Sequence, residues 1–184
     1  MSKRPTIDRN LVLDAAVSIV MTQGIAALSI GEVAKVAGIS KGGVQSCFGT
    51  KDGLIEAMVN RWKTDYAGTV QAHLPPGAGV LENLIAQIGI IAVPDAELSA
   101  QAGAILTAMF SQQGLKQQSN EWYRALLLGN DFDSQRGKLI RLAFLAATGT
   151  FFLRSFGIME ASEDEWRALH HDIQQLLPDA PPLP

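Results

Sequence analysis

Residues 41–51 carry side chains whose types and spacing suit contact with another molecule. In a helix over 41–48, the outward face would hold only glycines and short polar side chains: Gly42, Gly43, Gln45 and Ser46. Glycine inside a helix costs about 1 kcal/mol against alanine, so a pair of glycines indicates close approach of the backbone to a partner surface. Lys41, Thr50 and Lys51 could hold phosphates, because Thr50 can cap the following helix and leave its first backbone N–H groups available to a phosphate. Such a face predicts a helix that lies in the major groove of DNA.

Two short helices joined by a tight turn would position these residues. Ser29 is a good N-cap for a first helix that ends near Ala37, and Glu32 would complete a capping box with it. Gly38 supplies the left-handed residue that ends this helix, and Ser40 caps the next one. The pattern therefore predicts a helix-turn-helix.

Cys47 is the only cysteine, so no intramolecular disulfide can form, which is typical of a reducing cytoplasm. On a helical wheel Cys47 points inward with Val44 and Phe48. Two interpretations stay open for it: a redox sensor beside the proposed DNA face, and a small buried apolar residue under the second helix.

The same stretch resembles the DNA-binding domain of the TetR family of bacterial repressors. The resemblance rests on residues before and within the helix-turn-helix: Ala15, Ala16, Gly24, Ala34, Ala37, Gly38, Ile39, Ser40, Lys41, Gly42, Phe48, Lys51 and Leu54. The family usually has tyrosine at the positions of Gln45 and Cys47, and often histidine at Ser46; these residues commonly touch phosphate. The expected DNA-binding set is Ser29, Lys41, Gly42, Gly43, Gln45, Ser46, Thr50 and Lys51.

The charge distribution fits this expectation better than the net charge of −3 does. Residues 1–54 hold six Lys/Arg against four Asp/Glu, and the remainder holds nine against fourteen. A mildly basic N-terminal segment followed by an acidic remainder is compatible with a DNA-binding protein. Lys3, Arg4 and Arg9 lie in a short N-terminal arm that either contacts DNA or solubilises the terminus.

Periodicity near 3.6 residues predicts an all-α protein of about nine helices. The first four would be 8–23, 29–37, 41–48 and 51–74, and the last five 79–93, 95–112, 115–128, 133–156 and 162–177. The PPGAG stretch at 75–79 is the predicted boundary between a three-helix DNA-binding domain, 1–54, and a helical ligand-binding and dimerisation domain, 75–184. The helix over 51–74 would connect them. The most apolar stretch, 142–153, is too short for a membrane span, so we expect a soluble cytoplasmic protein.

The last two helices carry apolar stripes that predict a homodimer. Small residues in the first stripe would let helices approach closely, although ordinary intramolecular core would give the same pattern. TetR-like proteins also pair through their final two helices, and a symmetric dimer matches two half-sites about 34–36 Å apart. The predicted interface is Leu142, Ala143, Ala146, Thr150, Leu153, Trp166, Leu169 and Ile173.

The middle helices hold a candidate pocket for a small effector. Apolar side chains with a few placed polar groups are typical of such pockets, although for any one residue a filled core is the simpler explanation. The expectation of a pocket follows from the family's habit of binding small inducers. Its predicted lining, for a largely apolar or aromatic ligand, is Gln87, Leu106, Met109, Phe110, Trp122, Tyr123, Phe144, Thr148, Phe151 and Phe152.

Catalytic, cofactor and metal sites are not predicted. The sequence has no zinc-type Cys/His spacing, phosphate-binding glycine loop or nucleophilic serine elbow. His170 and His171 would point about 100° apart on a helix, and Asp131 and Asp133 suit a turn.

The sequence as a whole predicts a ligand-responsive transcriptional regulator rather than an enzyme. We expect a repressor that binds a palindromic operator and releases it when a small effector binds. The alternative is a helical small-molecule-binding or interaction module with a degenerate helix-turn-helix. The unusual Gln45 and Cys47, together with the low positive charge, keep this alternative open.

Overall fold

The computed structural model describes residues 7–92 and 95–177, and their regular secondary structure is entirely helical. They form nine α-helices and one 3-10 helix with no strand, which confirms the predicted all-α class. The helices are α1 (Arg9–Gln23), a 3-10 helix (Ile25–Ala27), α2 (Ile30–Val36), α3 (Lys41–Phe48), α4 (Lys51–Ala72), α5 (Val80–Ala92), α6 (Ala96–Phe110), α7 (Gln113–Leu128), α8 (Gln135–Ser155) and α9 (Glu163–Gln175).

Capping residues account for the helix boundaries, which differ from the predicted ones by at most two positions. The Asp8 side chain accepts from the backbone N–H groups of Asn10 and Leu11, so α1 begins at Arg9. Ser162 and Glu165 form a reciprocal capping box at α9. Short polar side chains thus satisfy the first N–H groups of these helices.

One short helix was not predicted, and several sequence features lie outside the described residues. The 3-10 helix between Gly24 and Leu28 was not predicted, since three residues are too few to show a period. Four sequence features lie outside the described residues: Lys3, Arg4, Pro94 and the proline-rich tail from Pro178.

By internal contacts the chain divides into two compact units. The first unit holds the chain through Thr64 together with Ala104–Lys116, and the second holds Asp65–Gly103 and the chain from Gln117 onward. The division therefore falls within α4, α6 and α7. It differs from the predicted separation at 75–79, which stays a prediction.

The first unit is built around the N-terminal helices. Helix α1 packs against α2, and α2 packs against α3. Val12 of α1, Val33 of α2, Val44 of α3 and Leu54 of α4 are all fully buried. Burying an aliphatic side chain of this size stabilises a fold by about 1.5–3 kcal/mol, so these four residues fix how the short helices pack.

The second unit has a core in which α5 packs against α8, and α8 against α9. Apolar side chains from these helices and from the segments just before α8 and just after α9 fill it: Leu84, Ile88, Phe132, Ile140, Ala143, Phe144, Ala147, Ile173 and Leu177. The backbones of α6 and α8 approach so closely that a Cβ at Gly103 would collide with the Ser155 carbonyl oxygen. Gly103 is therefore required by packing.

Candidate nucleic-acid interface and effector region

The turn between α2 and α3 has the predicted helix-turn-helix geometry. Gly38 has φ of 68°, and the N–H of Ile39 donates to the carbonyl of Ala34 at 3.0 Å. Ser40 is extended, and its hydroxyl accepts from the N–H of Gly43 at 3.1 Å. A left-handed glycine and a serine cap together end one helix and start the next within four residues.

The outer face of α3 is exposed along its length. Lys41, Gly42, Gln45 and Ser46 are exposed, whereas Val44 on the opposite face is fully buried. A Cβ added at Gly42 would meet no atom within 4 Å. The protein itself thus gives no packing reason for glycine at position 42.

Gly43 was also predicted to face base edges, and in the structure it has close neighbours within the protein. Gly43 is half-buried, and a Cβ there would lie 2.8 Å from Cδ1 of Ile7. Ile7 precedes α1 and covers this part of α3, so a Cβ at Gly43 would require the end of the Ile7 side chain to shift. The two adjacent glycines therefore differ in their surroundings, and of the two only Gly42 faces open space.

The corner between α3 and α4 is fixed by three interactions. The Thr50 hydroxyl accepts from the N–H of Gly53 at 3.1 Å, so Thr50 caps α4 as predicted. A Cβ at Gly53 would collide with the Phe48 carbonyl oxygen. The Lys51 ammonium donates to the Ile25 carbonyl at 3.2 Å and is partly buried there. An ammonium has three donors, so Lys51 can still approach a phosphate while it holds the 3-10 helix.

Arg9 has a structural role that sequence reasoning missed. Its Nη1 donates to the Cys47 carbonyl at 2.6 Å, and its guanidinium lies 4.4 Å from the centre of the Phe48 ring. A cation at the last carbonyls of a helix also complements the helix dipole. Arg9 therefore holds the C-terminal end of α3, and Cys47 beneath it is half-buried with a free thiol.

Ser29 lies at the start of α2, where its side chain accepts from the N–H of Glu32 at 3.1 Å. Glu32 was expected to complete the capping box with Ser29. Its carboxylate instead forms an ion pair with the ammonium of Lys35 at 3.3 Å. Ser29 is exposed, and its hydroxyl remains within reach of solvent.

The residues predicted to bind an effector are divided between the two units. Leu106 and Met109 are buried in the first unit, and Phe144 is buried in the second. Phe110 and Trp122 are 46% and 45% exposed, so they lie at the surface, in contrast to the enclosed lining expected of them. The Trp122 and Tyr123 rings meet edge to face with centroids 4.7 Å apart.

A chain of polar side chains crosses the second unit near its core. The Tyr66 hydroxyl donates to Oε1 of Gln87 at 3.2 Å, and Nε2 of Gln87 donates to Oδ1 of Asn83 at 2.6 Å. Gln87 is only 3% exposed. Burial raises the pKa of Tyr66, and Tyr123 raises it further. Tyr66 was missed from the sequence because no local pattern links it to α5.

Helix α8 carries two buried hydroxyls without hydrogen-bond partners. They are Oγ1 of Thr148, a predicted effector contact, and Oγ of Ser155, which was not predicted. Phe151 and Phe152 lie between them and are half-buried, with ring centroids 5.9 Å apart. Buried polar groups without partners are rare in native proteins, so this face of α8 is suited to a ligand with hydrogen-bonding groups.

Two family models match the chain. Residues 12–58 match the model of bacterial regulatory proteins of the tetR family, and residues 84–178 match the tetracyclin repressor-like C-terminal domain. The second match alone spans half of the chain and includes helices α5 to α9. The chain belongs to the TetR family.

Solved structures have the same fold at low sequence identity. A transcriptional regulator from Rhodococcus sp. Rha1 is 20% identical, with a TM-score of 0.66 over 96% of this chain and 100% of that one. FadR from Bacillus halodurans is 17% identical, with a TM-score of 0.65 over 96% of each chain. FadR from Bacillus subtilis, solved with stearoyl-CoA, is 20% identical, with a TM-score of 0.62 over 92% and 97%. No curated protein matches significantly.

Family membership confirms that this TetR-family protein is a DNA-binding transcriptional regulator and not an enzyme. The predicted turn role of Asp131 is also observed, since its carboxylate accepts from the N–H of Asp133 at 2.9 Å. Within residues 7–92 and 95–177, no group of His, Cys, Asp and Glu could hold a metal ion. None of the helices described is long and apolar enough to cross a membrane.

The predicted dimer residues of this TetR-family chain fall into two groups. Ala143 and Ile173 belong to the core of the second unit, and Trp166 is also buried there. Their place in an interface between two copies stays a prediction. The other predicted positions are exposed or half-buried: Leu142, Ala146, Thr150, Leu153 and Leu169.

Proposed function

We propose that this protein is a repressor that binds a palindromic operator as a homodimer and leaves it when a small, largely apolar effector binds. The observation that carries the proposal is the exposed face of α3, where Gly42 leaves the backbone bare beside Gln45 and Ser46. A helix of glycine and short polar groups can lie deep in a major groove.

The residues of this face have different proposed roles. Gln45 and Ser46 contact base edges, and Gln45 can bind adenine through two hydrogen bonds. Lys41, Thr50, Lys51 and Ser29 approach phosphates at the edges of the helix-turn-helix. Arg9 keeps α3 in place from behind, through the Cys47 carbonyl and the Phe48 ring.

A homodimer is supported by the outward stripe of α8. Leu142 is 56% exposed, and Ala146 and Leu153 follow it at helical spacing. Leu169 contributes from α9 and is 36% exposed. An apolar stripe on adjacent helices is suited to pairing with a second copy, and two-fold symmetry then requires a palindromic operator.

The effector is proposed to lie along the inner face of α8. Phe144, Phe151 and Phe152 supply apolar surface, and the buried Thr148 hydroxyl offers an unused hydrogen bond. Gln87 and Tyr123 come from the helices around the same core. Three other predicted pocket residues, Leu106, Met109 and Phe110, belong to the first unit. Binding would favour a conformation in which the two DNA-binding units no longer match both half-sites.

The test is selection of bound sequences from random duplex DNA by the purified protein at near-physiological salt. We expect an enriched palindrome, with an affinity that falls steeply as salt rises because phosphate contacts release counterions. Lys41→Ala should lose affinity across all sequences, whereas Lys138→Ala, which removes an exposed lysine from α8, is the matched control. Folded, dimeric protein that enriches no sequence would support the degenerate binding module instead.

A further inference from the structure

The exposed face of α3 has bare backbone at its centre. Gly42 lies two positions before the fully buried Val44, which is about 200° around a helix, so Gly42 points almost directly away from the core. Gln45 and Ser46 are both exposed, and they lie about 60° and 40° to either side of Gly42 on the helix. The middle of this face is therefore a gap between two polar side chains.

The gap is one residue wide. A Cβ at Gly42 would meet no atom within 4 Å, whereas a Cβ at Gly43 would lie 2.8 Å from Cδ1 of Ile7. Gln45 borders the gap on one side, and Ser46 and the covered Gly43 border it on the other. The space left open is that of a missing side-chain carbon, so it suits a small group of a partner molecule.

The surface inside this gap is apolar. The N–H and C=O groups of a helix run along its axis, so the side of Gly42 that faces outward is its Cα methylene. The next N–H along the helix, that of Gly43, is already taken by the Ser40 hydroxyl at 3.1 Å. A polar atom pressed against the methylene would lose its water without gaining a hydrogen bond, which is costly. An apolar group carries no such cost.

The four bases of DNA place one apolar group in the major groove, the C5 methyl group of thymine. The adenine paired with that thymine presents N6 and N7, which a glutamine binds through two hydrogen bonds. Gln45 follows Gly42 by three positions, and such positions are neighbours on a helix surface, about 5–6 Å apart. Gln45 and Gly42 therefore match the polar and the apolar part of one A·T pair.

We propose that Gly42 is a specificity-determining residue that accommodates the C5 methyl group of a thymine, in the base pair whose adenine binds Gln45. The inference rests on the proposed operator binding by α3 and specifies the base pair that this face selects. It can fail alone, because α3 can bind an operator through Gln45 and the phosphate contacts without any contact to a thymine methyl group.

Deoxyuridine substitution in the selected operator tests the proposal on the unmodified protein. Deoxyuridine pairs with adenine as thymine does and lacks only the methyl group. Each thymine of a half-site is replaced in turn, and affinity is measured by fluorescence anisotropy. We expect one sensitive thymine in each half-site, opposite the adenine whose preference depends on Gln45. Loss of one buried carbon should weaken binding about fourfold, and the other thymines serve as controls.

Gly42→Ala fills the same space from the protein side. The alanine methyl group would occupy the position proposed for the thymine methyl group, so the variant should bind the thymine operator more weakly. It should lose much less affinity for the deoxyuridine operator, and the fourfold preference for thymine should disappear or reverse. Position 42 is open within the protein, so the variant should fold, which circular dichroism checks.

Two neighbouring substitutions are matched controls for Gly42→Ala. Lys41→Ala removes a proposed phosphate contact and should weaken binding to both operators by the same factor. Ser46→Ala shortens the polar side chain beside the gap and leaves Gly42 unchanged. Both variants should therefore keep the preference for thymine over deoxyuridine at the sensitive position.

Three results would overturn the proposal while the operator is still bound. They are equal affinities of the unmodified protein for thymine and deoxyuridine at every position, a base pair other than A·T at the position that depends on Gln45, or a thymine preference that Gly42→Ala leaves intact. Each of these results would leave the proposed repressor function standing. If no operator is enriched at all, the proposed reading by α3 and this inference are rejected together.

Discussion

The first unit and the second unit of this TetR-family protein satisfy their polar groups in different ways. In the first unit Ser40, Thr50 and Arg9 each bond to the ends of α3 or α4, so side chains close the backbone at every step of the helix-turn-helix. Among the described residues, the buried side-chain atoms without partners lie in the second unit: Thr148, Arg154, Ser155 and His170. Side chains thus cap the helices of the first unit, whereas the second unit contains buried polar atoms that no protein group satisfies.

The largest effect is expected where we propose that the second unit meets a second copy. Ala146 is exposed on α8 between Leu142 and Leu153, so Ala146→Glu would bury a carboxylate among apolar side chains and should abolish the dimer. Operator binding should fall with it, because a monomer reaches one half-site. Sedimentation measures the dimer, and Ala125→Glu on the exposed side of α7 is the matched control. A dimer unchanged by Ala146→Glu would refute this interface.

A matched pair of glycines compares backbone packing in the two units. A Cβ at Gly53 would collide with the Phe48 carbonyl, and a Cβ at Gly103 with the Ser155 carbonyl. Each substitution by alanine should lower the free energy of unfolding by about 1–3 kcal/mol, measured with urea. Gly53→Ala should also weaken operator binding because it shifts α3 against α4. Wild-type stability in both variants would contradict the close approaches.

Base contacts and phosphate contacts in the first unit should separate in binding measurements. Gln45→Ala should change the preferred base at one position of each half-site. The expected loss of discrimination between bases is about 1–3 kcal/mol. Lys51→Ala should weaken all sequences and flatten the salt dependence, because one phosphate contact is lost. Lys51→Ala also removes the hydrogen bond to the Ile25 carbonyl. Its free energy of unfolding must therefore be measured alongside that of Lys41→Ala, which leaves this hydrogen bond intact. Equal, sequence-independent losses from Gln45→Ala and Lys51→Ala would reject these roles.

The smallest effect distinguishes Gly42 from Gly43. Gly42→Ala should raise the free energy of unfolding by about 1 kcal/mol, since alanine favours the helix and the site is open. The same change should weaken operator binding by placing a methyl group between α3 and DNA. Gly43→Ala should displace Ile7 and give no such gain. Stabilisation with unchanged DNA affinity would mean that Gly42 does not face the groove.

Local chemistry explains what could be predicted from the sequence. Gly38, Ser40 and the Ser162–Glu165 pair act on neighbouring residues, and their effects follow from residue type and spacing alone. Periodicity located the helices for the same reason. The family resemblance then supplied the function, since nothing local in residues 28–55 identifies a regulator.

Tertiary contacts explain what could not be predicted. Ile7 covers Gly43 and Arg9 reaches Cys47 across many residues, and no spacing rule links these positions. The α8 and α9 stripes show which residues are apolar, but only packing separates buried Ala143 and Trp166 from exposed Ala146. Predicting the unpartnered hydroxyl of Ser155 would likewise require the neighbours of α8 in space.

Selection of bound DNA sequences by the purified protein tests the central claim most directly. We expect a palindrome whose two halves are centred one helical turn of DNA, about 34–36 Å, or a multiple of it apart, and whose preferred base changes at one position with Gln45→Ala. No enriched sequence from folded, dimeric protein, or an enriched site that Gln45→Ala and Gly42→Ala leave unchanged in affinity and preference, would contradict the assignment of α3 as the reading helix.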